Sequence, residues 1–159
     1  PIFGTEFKIE GSTDNDFETT ITSVDATADR TITFPDSTGT VALVGDTVDS
    51  VTLNNGLITT GVSTTTATDQ TSIDSFSAST YRSAKYNVQV TRGSEYQTTE
   101  ISVIHDGSDS YGTEYATIKT GVSLATFSTD VSGGNVRLLA TPSSATSTVF
   151  KLFRTTTEV

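Results

Sequence analysis

Between Thr71 and Val159 short apolar runs recur at a nearly even spacing, each closed by turn residues, and this cadence is what most constrains the fold. Tyr86, Val88 and Val90 alternate with Lys85, Asn87, Gln89 and Thr91, a period of two that belongs to a strand with one buried and one wet face. Arg92-Gly93-Ser94-Glu95 turns the chain, and Gln97 to His105 reads as the return strand. Further strands follow at Thr113 to Thr120, Leu124 to Thr129, Val136 to Thr141 and Thr148 to Thr156. They are separated by Asp106 to Gly112, by Ser132-Gly133-Gly134-Asn135 and by Pro142 to Ser147. With Ile73 and Phe76 at its start, the region holds about seven strands, the pattern of an antiparallel β-sandwich or jelly-roll. No helix is required anywhere.

Composition enters where the strands need residues to build them. Only 33% of the chain is apolar, and roughly a third is Thr or Ser, so the core is expected to be thin and made of β-branched and aromatic side chains. The 159 residues suffice for one ordinary domain plus an arm, or for two small all-β units. From Ile2 to Val44, sparse apolar groups between polar clusters suit a β-meander arm, and Gly61 to Asp69 is threonine-rich with almost no large apolar side chain. The expected division is residues 1–46 as an N-terminal attachment region, 47–69 as a Thr-rich connector with its boundary near Thr65, and 70–159 as the sandwich. Asn54-Asn55-Gly56 between Val51-Leu53 and Leu57-Ile58 predicts a tight turn that uses positive φ.

The formal charge of −10 argues against nucleic acid and against anionic membranes, because such surfaces are held mainly by Lys and Arg. No apolar stretch approaches the roughly 20 residues of a spanning helix, so membrane insertion is not expected. Without cysteine there are neither disulfides nor thiolate sites. Pro1 to Gly11 has no signal-peptide pattern, and the absence of methionine even at position 1 points to a fragment, a processed chain or a removed initiator.

Chemistry finds little support. His105, the single histidine, stands beside Asp106 but without enough neighbouring ligands for a metal, and it reads as structural or simply solvated. Asp14-Asn15-Asp16 with Glu18 is oxygen-rich yet lacks the glycine and distal glutamate of a calcium loop; Asp106, Asp109 and Glu114 read as turn carboxylates. No nucleophile elbow, P-loop or dinucleotide fingerprint occurs. No catalytic residue, cofactor or metal is assigned, and the chain is expected not to be an enzyme.

Alternation blurs in the later strands. Ile104 is out of phase with Ile101 and Val103, Leu138 and Leu139 point opposite ways, and Val149 and Phe153 oppose Phe150 and Leu152. Apolar groups on both faces imply a cover outside the sandwich, and a sibling subunit is the expected one. The candidate interface is Phe3, Phe7, Phe17, Ile21, Ile104, Leu139, Phe150 and Leu152, and the candidate display loops carry Arg92, Tyr96, Asp106 and Tyr111.

Two segments carry a resemblance. RTITFPDSTGTVALVGD, Arg30 to Asp46, reads as a hairpin whose Pro35 to Gly39 tip joins Ile32 to Phe34 with Val41 to Val44. It resembles a motif of tail-fibre and other structural proteins of tailed phages, marine cyanophages above all. YRSAKYNVQVTRGSEYQTTEISVIHDG, Tyr81 to Gly107, with GNVRLL at Gly134 to Leu139 and Thr148 to Arg154, looks like a C-terminal β-domain of cyanophage structural proteins. The resemblance implies a non-enzymatic component exposed on the virion surface, a homo-oligomer and often a trimer, that contacts other virion proteins. It implies a tail-fibre-like appendage, with capsid decoration as the alternative location. A carbohydrate-binding or adhesin module, with a host-surface glycan as partner, is the alternative of another class.

Overall fold

The computed structural model describes residues 6–10, 12–13, 15–22, 31, 36 and 48–159. The described residues contain strands, turns and irregular segments with no helix, so the protein is all-β. Contacts divide the chain into two units, Pro1–Val41 and Ala42–Val159. The Arg30 to Asp46 hairpin, apart from Thr31 and Asp36, lies outside the described residues, as does Phe3.

In the first unit β1 (Glu6–Glu10) pairs antiparallel with β2 (Glu18–Thr22), Phe7 opposite Ile21 and Ile9 opposite Thr19. The Phe17 N–H donates to Asn15 Oδ1 at 2.8 Å, the local bond that makes Asn a good turn residue. Ile9, Phe17 and Ile21 stay exposed, Phe17 at 83%. A two-stranded ribbon of this kind has little core of its own.

The second unit is a two-layer sandwich. One sheet has six strands in the order β3 (Ser50–Leu53), β4 (Gly56–Thr65), β11 (Thr148–Glu158), β6 (Tyr81–Arg92), β7 (Glu95–His105) and β8 (Ser110–Lys119). The other places β10 (Asn135–Pro142) between β5 (Thr71–Ser77) and β9 (Ala125–Ser132). All pairings are antiparallel. Inward residues of β6, β7 and β11, namely Tyr86, Val88, Val90, Ile101, Val103, Phe150 and Leu152, meet Ile73, Phe76, Ala125, Val136, Leu138 and Ala140 from the second sheet. Each large side chain so buried contributes about 1.5–3 kcal/mol.

Between the layers the packing includes polar pins. The Gln97 side chain is buried: its Oε1 accepts the Leu124 N–H at 2.8 Å and its Nε2 donates to the Ala125 carbonyl at 3.2 Å, which fixes the entry to β9. Arg154 reaches from β11 to β5, Nη1 lying 2.5 Å from Asp74 Oδ2 and 2.8 Å from the Ser75 carbonyl, with the guanidinium 5.7 Å from the Phe76 ring centroid.

Three expectations change at this level. The segment read as a connector contains β3 and the ten-residue β4, which pairs with β11 from Gly56 opposite Thr157 to Thr65 opposite Thr148. Threonine's β-branched side chain suits the ladder even where no apolar alternation announces it. Leu139, Phe150 and Leu152, expected at an intersubunit interface, are buried within the chain at 6%, 0% and 5% exposure. Phe150 and Leu152 fill the inter-sheet core, while Leu139 sits mid-strand in β10, flanked by Ser72 and Ser128 on the strands either side. The turn at Asn54-Asn55-Gly56 forms without positive φ, which occurs among the described residues at Ala116, Gly93, Gly107, Gly133 and Gly134. Gly56 is needed for proximity instead: a Cβ there would lie 2.2 Å from the Thr156 carbonyl oxygen.

Candidate functional site

The period of two that buries Ala84, Tyr86, Val88 and Val90 turns Lys85, Asn87 and Gln89 of β6 to the other side of the six-stranded sheet. The pairing register places Phe153 of β11 across from Asn87, Glu100 of β7 across from both Asn87 and Tyr115, and Ile104 across from Tyr111. This outer face is where unabsorbed apolar side chains collect: Phe153 is 48% exposed, and Ile104, Tyr111, Tyr115, Tyr96 and Ile118 are exposed on the same face.

Its centre is polar and held in place. Lys85 Nζ lies 2.7 Å from Glu100 Oε2 and 5.7 Å from the Tyr115 ring centroid, and the Tyr115 hydroxyl shares a 3.2 Å hydrogen bond with Ser102 Oγ. The hydrogen bond with Glu100 raises the Lys85 ammonium, and the same bond lowers the Glu100 carboxyl. Tyr115 owes its position to a bulge. The β7–β8 register shifts between Thr98 and Glu100, and Ala116 takes φ 54°, a conformation costly for any residue with a Cβ. The buried Thr99 hydroxyl satisfies the irregular backbone, lying 3.1 Å from the Tyr115 carbonyl and 2.9 Å from Glu114 Oε1.

Three shallow depressions mark the face. One of about 250 Å³ is lined by Lys85, Asn87, Glu100, Phe153 and Thr155. A second of about 410 Å³ lies along Gln89, Tyr96, Thr98 and Ile118. The third, about 310 Å³, lies along Ser102, Ile104, Tyr111 and Thr113. Each offers an apolar patch bordered by hydroxyl, amide or charged groups, an arrangement that can hold a ligand or a protein surface.

The loop residues do not form one display surface. Arg92 donates to Ser143 Oγ at 2.8 Å and to Glu95 Oε2 at 3.1 Å, and the Tyr96 N–H donates to Thr120 Oγ1 at 3.0 Å, so Arg92 to Glu95 and the loop from Pro142 gather at one end of the sandwich. Asp106 and Tyr111 lie at the other end of β7, a separation of roughly 30 Å for a strand of that length. There Asp106 Oδ1 accepts the N–H groups of Ser108 and Asp109, both at 2.8 Å, and Oδ2 accepts the Tyr111 hydroxyl at 3.1 Å. Those backbone donors, Asp109 first, hold its carboxyl below the usual range. Of the candidate interface set, Ile104 joins the outer face, Phe17 and Ile21 lie exposed on the first unit, and Phe7 is placed only by its backbone.

His105 is buried at 3% exposure. Its Nε2 lies 2.7 Å from the Tyr81 carbonyl, and since a carbonyl only accepts, that nitrogen carries the proton. Among the described residues no cluster of three His, Cys, Asp or Glu side chains is placed to hold a metal ion. The partly buried Arg154–Asp74 pair and the Gln97 amide escaped sequence reasoning. The signal for Arg154 was available: it follows Phe150 and Leu152 in the inward phase, and a guanidinium facing a core demands a carboxylate partner.

Neither a family model nor a curated protein matches the sequence. Among solved structures, the tailspike protein of Acinetobacter baumannii phage AM24 is similar over 62% of this chain and 26% of its own, at 13% identity and a TM-score of 0.38. The tailspike gp49 of A. baumannii bacteriophage Fri1, a capsular polysaccharide depolymerase, is similar over 73% of this chain and 22% of its own, at 12% identity and a TM-score of 0.43. The tailspike of Acinetobacter phage vB_ApiP_P1 is similar over 76% and 25%, at 14% identity and a TM-score of 0.39. The matched part therefore spans about a quarter of each tailspike.

Proposed function

We propose that this chain is a non-enzymatic component of a tailed-phage virion surface, a tail-fibre-like appendage in which residues 1–46 attach to neighbouring chains and the sandwich projects outward as part of a homotrimer. The observation that carries the reading is the outer face of the six-stranded sheet, whose Phe153, Ile104, Tyr111 and Ile118 are left open by the chain's own core. Covering the exposed half of such a side chain is worth about 1 kcal/mol, and several per protomer stabilise an assembly that has no disulfide to rely on. The phage-like segments named in the sequence supply the virion context.

Three of the carboxylates are unsuited to general-acid chemistry. Glu100, Asp106 and Asp130 all titrate below their ordinary range, held there respectively by Lys85, backbone N–H groups and Arg137. A glycosidic general acid needs the opposite displacement.

Light scattering on the pure protein tests the assembly: a trimer at micromolar concentration supports the reading, and a stable monomer sinks it. Electron microscopy of particles bearing an antibody against residues 71–159 tests the location, with label on tail appendages expected and label across the capsid favouring decoration.

A carbohydrate-binding role is favoured by one feature, the open Phe153 ring beside Asn87, Thr155 and the Lys85–Glu100 pair. A sugar has an apolar face for the ring and hydroxyls for the polar border. Glycan-array binding that Phe153→Ala abolishes would establish it.

A further inference from the structure

The β3–β4 turn joins a chemically labile dipeptide to a backbone position crowded against any side chain. Asn55 is exposed, and of the five asparagines, Asn15, Asn54, Asn55, Asn87 and Asn135, it alone precedes a glycine. Gly56 adds no side chain of its own beside its amide nitrogen, although the residue is buried between its strand partners Leu53 and Thr157, and the Thr156 carbonyl that a Cβ would strike at 2.2 Å disfavours any other residue there. The Asn55 carbonyl accepts the Glu158 N–H at 3.0 Å. A donor on that oxygen draws electron density from the Asn55–Gly56 peptide and makes its N–H more acidic, which favours the anionic nitrogen as a nucleophile.

We propose that Asn55 is a site of spontaneous deamidation that unlocks the edge of the six-stranded sheet. The Gly56 nitrogen, having lost its proton, attacks Asn55 Cγ; the new C–N bond closes a five-membered succinimide, and the side-chain nitrogen leaves as ammonia. Water then opens the ring at either carbonyl and yields aspartate or isoaspartate. The balance is one water consumed and one ammonia released, with a negative charge added to a chain already at −10.

The isoaspartyl product inserts a methylene into the main chain at a crowded point. Gly56 pairs with Leu53 of β3 on one side and Thr157 of β11 on the other, and Asn55 holds Glu158, so one lengthened link disturbs three strands. β3 is the weakest of them, four residues long and exposed throughout. It is expected to detach first, leaving β4 as a bare edge able to accept another chain. This inference is independent of the proposed virion role.

The test incubates the full chain at mildly alkaline pH and follows its peptides by mass spectrometry, with isoaspartate read by methyl transfer from S-adenosylmethionine using isoaspartyl methyltransferase. The expected result is exchange of NH2 for OH at Asn55 ahead of the other four asparagines, and its loss in Asn55→Gln. Amide hydrogen exchange at Ser50–Leu53 and Glu158 should rise about tenfold or more in the isoaspartyl fraction. No gain at Asn55, or a gain no faster than at Asn54, overturns the site. A gain that leaves exchange at those amides unchanged overturns the unlocking.

Discussion

Arg154 ties the two sheets together at one point. Its side chain is 9% exposed and that of Asp74 25%, so removing the carboxylate leaves a guanidinium stranded in the core. Asp74→Ala is expected to cost about 3 kcal/mol in urea denaturation, whereas the double change Asp74→Leu with Arg154→Met should cost less than the single one, because no charge is then left unpaired. The neighbouring Tyr86, fully buried, is pushed well above the ordinary tyrosine range by its burial first and by the Asp74 charge second, so it should resist ionisation until the fold opens. On the outer face the signs run in both directions. Glu100 is lowered, so its contribution is present above the usual 4.5 and fades as pH falls through its depressed value. Lys85 is raised, so its contribution is present below the usual 10.5 and fades as pH rises through its elevated value. The Glu100 side-chain carboxyl and Lys85 Cε chemical shifts should therefore be constant between those limits and move outside them; a change near neutrality would contradict the pairing.

At the scale of elements, β6 and β8 carry different lessons. β6 was legible because Tyr86, Val88 and Val90 keep strict phase against charged and amide neighbours, and the turns at Arg92 to Glu95 and Ser132 to Asn135 were legible through their glycines, which do take positive φ. β4 was not, because Gly61 to Thr65 is paired to β11 by main-chain bonds while its side chains show no apolar rhythm; Gly61 lies against Leu152, which fills the space instead. Phe150 and Leu152 were misplaced for a related reason. Phase along one strand says that two faces differ, but which face meets the second sheet depends on partners distant in sequence. The bulge in β8 left no mark, since alanine at positive φ is unexpected. Ala116→Val should cost about 1–2 kcal/mol because branching at Cβ aggravates the left-handed conformation, and it should loosen Tyr115 as seen in its ring-proton line widths. Gly56→Ala should cost about 1–3 kcal/mol by overpacking against the Thr156 carbonyl.

For the whole molecule, the outer face is the surface through which we propose the sandwich joins its copies. Phe153→Glu should leave stability within about 0.5 kcal/mol, since the ring is half in water, yet weaken self-association at least about tenfold in sedimentation. The order of the six strands has a temporal consequence as well. β4 and β6 are held together in the sheet through β11, which follows both in sequence and is paired to both. While a ribosome is still making this chain, the β3–β4 ribbon and the β6–β7–β8 meander exist as separate pieces with raw margins facing each other, and Phe150 and Leu152 have yet to arrive between the layers. Thr148–Glu158 acts as a keystone: the nascent protein must keep those margins from other strands until that segment emerges, and synthesis halted just before Thr148 should yield aggregates rather than a smaller sandwich.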